Sequence, residues 1–546
     1  MYTRKFILAT LIGLFCQFNL YAQKMNNYVA NWKKVSAFEE KGLTASAWKE
    51  VKAIMKMASV TGNEPQLIKA AMHEMKYRNM TEENSTEKNI AYLDSLATKS
   101  SSPAKNILQS MQADLMLDYL NQNRYDLYDR TKLAVENDKD ISTWSMDKFV
   151  AEISSLYNAS LSNEAVLKKT STAAFEAILT KGKNTKDLRP TIFDLLAHRA
   201  LDYFLNDENY ITKPIYQFRI SDENYFAPVN RFTAINFSTP DSSSLHFQGL
   251  LLLQKLLKFH ASGNNPKALI DADLKRLQFV YEKSTLINKE SLYEKSLRQL
   301  IKDYPAEPLS ADAIFLLASI YYGNAGKYKP FTNTQYQFEY NKAKELCEEA
   351  IKKFPKSDGA VKAQNMLNQI LEPGLSLQTE EVNIPGQPFR SLVKYKNTPA
   401  IYLRIIKTTK EESQKLSHSD GNYWSKLITL KADKSWKADL PDLKDHQEHS
   451  TEIKTDGLAS GIYFLVASRD PQFSLKKNII AAQVIHISHI SYLISNNNDL
   501  FVLDRETGKP LNGASIQFWQ QNYNYNTRSY DAIKKASYKQ QCRWLC

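Results

Sequence analysis

The residues of this chain that could do chemistry are few and scattered. Ser46-Ala47-Trp48-Lys49 has the Ser-x-x-Lys spacing of a serine nucleophile activated by a lysine. Its companion Lys-Thr-Gly is missing, and Trp48 belongs to an apolar stripe, so core packing is the better reading. No Gly-x-Ser-x-Gly elbow, Gly-rich phosphate loop or His-Glu-x-x-His helix occurs. Two histidine pairs remain, His446-Gln447-Glu448-His449 in a polar stretch and His486-Ile487-Ser488-His489 at a strand end. A spacing of three on a strand sends the two rings to opposite faces, which disfavours a shared metal. The loop pair could chelate with Asp445 and Glu448, but a solvated loop is the plainer expectation. The aromatic run Phe518-Trp519-Gln520-Gln521-Asn522-Tyr523-Asn524-Tyr525 could stack on a sugar; strand core plus hairpin rim explains it as well. No catalytic, cofactor-binding or metal-ligating residue is assigned on this basis.

Composition narrows the class. Lys and Arg exceed Asp and Glu by 12 charges, but the signs are interleaved, as in Lys342-Ala343-Lys344-Glu345. That is a solvated mixed-charge surface rather than a nucleic-acid stripe, although weak attraction to an anionic envelope fits it. Arg4 and Lys5 precede an apolar run, Phe6 to Phe15, and small-residue processing at Leu20-Tyr21-Ala22. This is the pattern of a cleaved signal peptide, too short for a permanent span of about 20 apolar residues. Cys16 follows the bulky Phe15, which disfavours lipidation, and leaves with the leader. Export to the periplasm, cell surface or medium follows, with no transmembrane span after cleavage. Leu250–Leu253 is apolar but interrupted by Gln254, Lys255 and Lys258, so it reads as a buried helix. The mature chain keeps Cys347, Cys542 and Cys546, too few for a disulfide-stapled domain. Cys347 falls in a helical pattern as a small core residue, and the other two lie in an unpatterned tail.

The elements change character near Pro373-Gly374. Before it, three- and four-residue periodicity predicts helices. Ala45–Met57 carries Trp48, Val51, Ile54 and Met55, with Thr44 placed to cap it and Gly62-Asn63-Glu64-Pro65 to end it. Further helices are expected over Ala104–Leu120, Asp147–Leu161, Ser171–Leu179, Pro190–Phe204, Leu245–Phe259 and Leu269–Lys283, with Pro190 in a first helical turn. Asn206–Pro240 reads as a long aromatic connection lying on these helices. Tyr293–Pro305 and Ala343–Pro355 resemble each other, each ending in an aromatic-Pro pair and each followed by a second apolar helix. This is tetratricopeptide-like logic, in which hairpins stack because none buries its apolar face alone. After Gly374 the period becomes two, with strands expected at Phe389–Tyr395, Ile401–Ile406, Ile462–Ser468, Ile479–Ile487, Leu500–Leu503 and Ala514–Trp519. The expected organisation is a signal peptide over 1–22, a helical-hairpin solenoid over 23–373, an antiparallel β-sandwich over 376–487 and a second over 488–546. A complete sandwich needs about 100 residues, so the second reads as truncated.

Four blocks carry a family resemblance. They are Trp32–Arg78; Leu188-Arg189-Pro190-Thr191-Ile192-Phe193-Asp194-Leu195-Leu196-Ala197-His198-Arg199-Ala200-Leu201; Asp273-Leu274-Lys275-Arg276-Leu277; and Gly461–Ser468 leading to Asp504–Ala514. The combination resembles large bacterial alpha-2-macroglobulin-like proteins with a helical N-terminal extension before macroglobulin β-sandwiches. The resemblance implies protease trapping: a bait segment is cut, the molecule rearranges, and an internal thioester captures the attacker. It also implies proteases as partners. The thioester needs Cys-x-Glu-Gln, whereas Cys347 is followed by Glu348-Glu349-Ala350, so no thioester residue is assigned. The bait and the complement-like helical domain are expected downstream of residue 546. A non-catalytic scaffold is therefore the leading expectation. The alternatives are a helical-repeat adaptor for envelope proteins and a glycan-binding module using Trp519–Tyr525.

Overall fold

The first helical pair shows how local sequence sets the elements. Val51, Ile54 and Ala58 are buried on one face of the helix Thr44–Thr61. The helix ends at Gly62, whose left-handed backbone (φ 66) returns its N–H to the carbonyls of Ala58 and Ser59. Asn63 then caps the helix Glu64–Thr81 through its side chain, with Pro65 in the first turn. Thr44 is not the cap it was expected to be. It is the first helical residue, behind Leu43, which offers no side-chain acceptor.

These coordinates are a computed structural model that describes residues 28–128, 140–180, 182, 185–207, 216–263, 265–416, 421–495, 499–525 and 528–540. The signal-peptide residues, Cys542 and Cys546 lie outside the described residues, as do 208–215 of the long connection. Helices fill the chain up to Leu371 and sheets dominate from Gly374 onward. The chain divides into two compact units elsewhere, within the helix Ser310–Ala325: one holds residues up to Ile314 with Ser357–Gly359, the other Phe315–Lys356 with everything from Ala360. No helix among the described residues is long and apolar enough to cross a membrane.

In the first unit, sequence-adjacent helices pack on each other, Thr44–Thr61 on Glu64–Thr81, Ser85–Thr98 on Ala104–Gln122, and Leu245–Ala261 on Pro266–Lys283. Ser85–Thr98 has no counterpart in the periodicity reading. Ser171–Leu179, expected as an α-helix, is a 3-10 segment, Thr172–Ile178, kinked at Phe175. Pro190 lies outside its helix, because Thr191 and Asp194 form a reciprocal capping box that starts the helix at Ile192. The described part of the long connection does lie on helices: Gln254 donates to the carbonyls of Phe232 and Ile235, and the Phe218 ring meets Phe247 edge-on at 5.3 Å. The two similar segments form the helices Lys289–Asp303 and Glu339–Lys353. Their aromatic-Pro ends share one geometry, Tyr304 at φ −126 ψ 57 and Phe354 at φ −132 ψ 56.

The second unit is built on two sheets. One has the order β1-β3-β6, from β1 (Gly374–Thr379), β3 (Phe389–Lys396) and β6 (His449–Thr455). The other has the order β2-β8-β7-β4-β5, from β2 (Val382–Asn383), β8 (Ile480–Ile487), β7 (Gly461–Ser468), β4 (Ala400–Thr408) and β5 (Lys434–Asp439). All neighbours are antiparallel except the short β2–β8 pair. Val393, Tyr395 and Ile453 of the first sheet share one core with Leu403, Ile405, Leu465 and Ile485 of the second. The other face of the larger sheet is covered too: Ile406, Phe464 and Val466 pack with Tyr423 and Leu427 of the helix Tyr423–Thr429. β7 is consequently buried at every residue from Tyr463 to Ser468, which is why its sequence is a continuous apolar run and not an alternation. Beyond it, β9 (Ile490–Ile494) pairs with β10 (Leu500–Asp504), and β11 (Ser515–Asn524) with β12 (Ser529–Lys539), as separate two-stranded sheets.

One close approach gives a test of packing in the first unit. A Cβ on Gly359 would sit 2.4 Å from backbone atoms of Ala311 and Asp312, whereas a Cβ on Gly323 would meet nothing within 4 Å. Backbone cannot yield as a flexible side chain can. Gly359→Ala should therefore destabilise by about 1–3 kcal/mol, while Gly323→Ala, inside a helix, should be neutral or stabilising by up to about 1 kcal/mol. Thermal melts of the two variants would separate these effects.

Candidate functional site

Residues singled out for reactivity are occupied with folding. Trp48 of the Ser-x-x-Lys match packs in the fold, donating to Glu74 at 3.5 Å with Lys52 lying 4.7 Å over its ring. Cys347 is fully buried in the helix Glu339–Lys353, where burial pushes its thiol up to about 11. A thiol so raised supplies almost no thiolate near neutrality.

The loop histidines part company. His449 binds the Asp445 carboxylate at 2.9 Å, while the Nδ1 of His446 meets the amide oxygen of Asn397 at 2.7 Å. The loop is not solvated as expected. Asp445 is 2% exposed and accepts from the amide of Gln337 and the backbone N–H of Gln447. Gln447, also buried, donates to the carbonyls of Ala325 and Gln337. Desolvation would raise the Asp445 carboxyl, but these hydrogen bonds outweigh it and hold the group below its ordinary value. Within the second unit, this loop ties the helical segment to the sheet. His486 and His489 are not brought together with the other pair: His486 sits in β8, paired with Ile462 and Val382, and His489 is exposed. Among the described residues no group of three or more His, Cys, Asp or Glu is placed to hold a metal ion.

Two resemblance blocks of the first unit, Leu188–Leu201 and Asp273–Leu277, supply polar joints between elements. Asp194, wholly buried, takes Thr191 on one oxygen and the Nε2 of His260 at 2.7 Å on the other. Arg189 grips Asp271 at 2.6 Å, and Arg199 meets Asp114 and the Ser110 hydroxyl. His198 lies among these groups with Nδ1 unpartnered. Burial, with the nearby charges of Arg189, Lys275 and His260, depresses it to about 2.

The first unit has a groove of about 800 Å³ between the segment Glu223–Arg231 and the helices Pro266–Lys283 and Lys289–Asp303. Its floor is the buried pair Asp273–Arg276. The Arg276 guanidinium donates to Asp273 at 2.8 Å and to the Tyr225 carbonyl at 2.6 Å, and stacks 4.5 Å from the Phe232 ring. Burial pushes the Asp273 carboxyl up, against the pull of Arg276. Ser296, the one serine in the wall, donates to the carbonyls of Phe226 and Leu292. No His or Cys lines the groove. Its walls mix Lys295, Asp303, Glu223 and Arg231 with Leu269, Leu292 and Val229, a surface suited to recognition. The sequence signal for it was the Asp-x-x-Arg spacing at 273 and 276, which puts the two groups on one helix face.

A comparison with protein-family models finds no match, and no curated protein matches the chain.

Two outcomes follow. Arg276→Met strands Asp273 in the interior and should cost about 3–5 kcal/mol, most of it recovered in the Asp273→Leu/Arg276→Met double variant. Urea titration followed by far-UV circular dichroism would show this. His198 binds its proton readily only when unfolded. Its contribution to stability is therefore whole above its ordinary value of 6.5 and is lost as pH falls toward about 2. Between about pH 6 and pH 5 the chain should lose up to about 1.4 kcal/mol more than a His198→Gln variant.

Proposed function

We propose that this chain is the non-catalytic N-terminal scaffold of an exported alpha-2-macroglobulin-like protein, whose family role is endopeptidase inhibition by protease trapping. The observation that carries the reading is the order of parts: a long helical region, then a two-sheet unit, then further strand pairs. The resemblance blocks fall at structural joints of that order. Leu188–Leu201 and Asp273–Leu277 supply buried ion and capping contacts in the helical unit. Gly461–Ser468 is the sheet's doubly covered strand, and Asp504–Ala514 is the turn between β10 and β11. We read the two-sheet unit as a macroglobulin-like β-sandwich and the paired helices as a tetratricopeptide-like array. The buried, raised Cys347 thiol and a Ser296 hydroxyl engaged by backbone carbonyls support a scaffold over an enzyme.

The groove over Asp273–Arg276 favours a second reading, a helical adaptor that binds envelope proteins. Incubating the purified chain with a panel of endopeptidases decides between scaffold and autonomous trap. The scaffold reading expects cleavage fragments, no covalent adduct and unchanged turnover of a large protein substrate. A methylamine-sensitive, SDS-stable protease conjugate would overturn it. A folded envelope protein recovered by crosslinking at the groove, and lost with Lys295→Glu, would move the reading to the adaptor.

A further inference from the structure

Two phenylalanines of the second unit have left-handed backbone, Phe473 at φ 56 and Phe331 at φ 76. A bulky residue in that region is strained and persists only where something offsets the cost. For Phe473 the offset is visible. Its ring is 2% exposed, packs in the cluster around Phe464 and lies 3.8 Å from the Arg404 guanidinium. Phe331 is 98% exposed, so its ring stands in solvent. The turn that holds it is nonetheless well built. The N–H groups of Thr332 and Asn333 both return to the Lys329 carbonyl, at 3.3 and 3.0 Å, with Pro330 and Phe331 enclosed at the centre of the turn. Proline suits the first central position, and the second, with its positive φ, is where glycine is favoured. The base of the loop is pinned as well. Asn333 donates to the Lys327 carbonyl at 2.8 Å, and Gln337 joins the buried Asp445 and Gln447. The loop 326–338 thus holds one aromatic ring outward at a local cost.

We propose that this turn docks the second unit on an anionic lipid surface, with the Phe331 ring entering the interface and Lys329 meeting headgroup phosphates. Composition selects lipid as the occupant. Residues 326–338 hold Lys327, Tyr328, Lys329, Phe331, Tyr336 and Phe338, and no Asp or Glu. Lys327 is engaged by the Asn324 amide oxygen at 2.6 Å and the Tyr336 ring, which leaves exposed Lys329 as the cation beside the tip. Phe338 is half exposed too. Rings beside cations, free of acids, are the chemistry of the membrane–water boundary, where aromatics sit at headgroup depth and cations meet anionic headgroups. A protein pocket asks for more. A specific interface takes about 800 Å² from each partner, with a rim that excludes water around its anchor. Fluid lipid closes around a single projecting ring without matching its shape. One ring and one lysine make a weak, reversible contact, which orients the chain on the surface rather than fixing it there. The inference goes beyond the scaffold reading and stands without it, because it rests on the turn.

The test uses the processed chain, beginning at Gln23, so that the apolar run Phe6–Phe15 cannot itself carry binding. Co-sedimentation with vesicles of equal parts phosphatidylcholine and phosphatidylglycerol should show binding that weakens with salt and is lower on phosphatidylcholine alone. Phe331→Gly should weaken it at least about tenfold, and Lys329→Glu about tenfold. Phe331→Trp should keep binding, and its added fluorescence should be quenched by brominated lipid. The strain has its own readout. Phe331→Gly should raise the melting temperature by about 2–4 °C, since glycine accepts the positive φ and no packed ring is lost. A lowered melting temperature would make the ring a structural contact and overturn the proposal. So would a chain that ignores both vesicles, or anionic binding that Phe331→Gly leaves intact, which traces to diffuse positive charge. Phe331-dependent binding to an envelope protein, with none to vesicles, would overturn it as well.

Discussion

Everything in the second unit is arranged around one strand that tolerates no water. β7 places Tyr463, Phe464, Leu465, Val466 and Ala467 in succession, and all five are buried. Alternate residues of a strand point to opposite faces, so an unbroken apolar run needs cover on both sides. The smaller sheet supplies one cover and the helix Tyr423–Thr429 the other. Burying five such side chains is worth on the order of 10 kcal/mol, against which no single surface contact weighs much. The unit is therefore three layers deep at this strand.

Three buried carboxylates enter these interiors beside partners supplied by local sequence. Asp194 stands three residues after the Thr191 that it caps, Asp273 three before the Arg276 that it binds, and Asp445 four before the His449 that it holds. Each first satisfies a neighbour in the chain and then reaches a distant element: His260, the Tyr225 carbonyl by way of Arg276, and Gln337. A buried carboxylate without such partners would cost several kcal/mol. The short-range partner fixes the group's direction, and the long-range contact fixes which elements can pack beside it. Such a joint specifies an arrangement more than it stabilises one. That is the property a scaffold requires.

Much of the element order was legible because it depends on local periodicity. Val51, Ile54 and Ala58 announce a helix, and the turn Lys396–Pro399 announces a strand boundary, without reference to any other part of the chain. Errors came where two local signals competed. Pro190 suits a first helical turn, but Thr191 with Asp194 is the stronger start, since it satisfies backbone donors at both ends of the box. The helix Lys410–Lys415 was readable in principle from the same device, Thr409 with Glu412. The candidate groove was readable only in the Asp-x-x-Arg spacing of its floor. It is made by the irregular segment Glu223–Arg231 folding over two helices, and irregular backbone has no period. The buried loop at Asp445–Gln447 was hidden for a related reason: its polar residues look solvent-seeking until Gln337 and the Ala325 carbonyl are placed against them.

The same physics that closes the core of the second unit bears on how such a chain would meet other molecules. A scaffold must keep its interior satisfied while leaving some surface unsatisfied, or it has nothing with which to dock. In the first unit the available surface is a groove whose charged floor is already neutralised, Arg276 by Asp273, so it presents shape and mixed polarity rather than net charge. The groove can be filled without disturbing the ion pair, which lies beneath it. The groove wall at Lys295 is thus separate from the contacts that hold the chain folded, Asp194, Asp273 and β7.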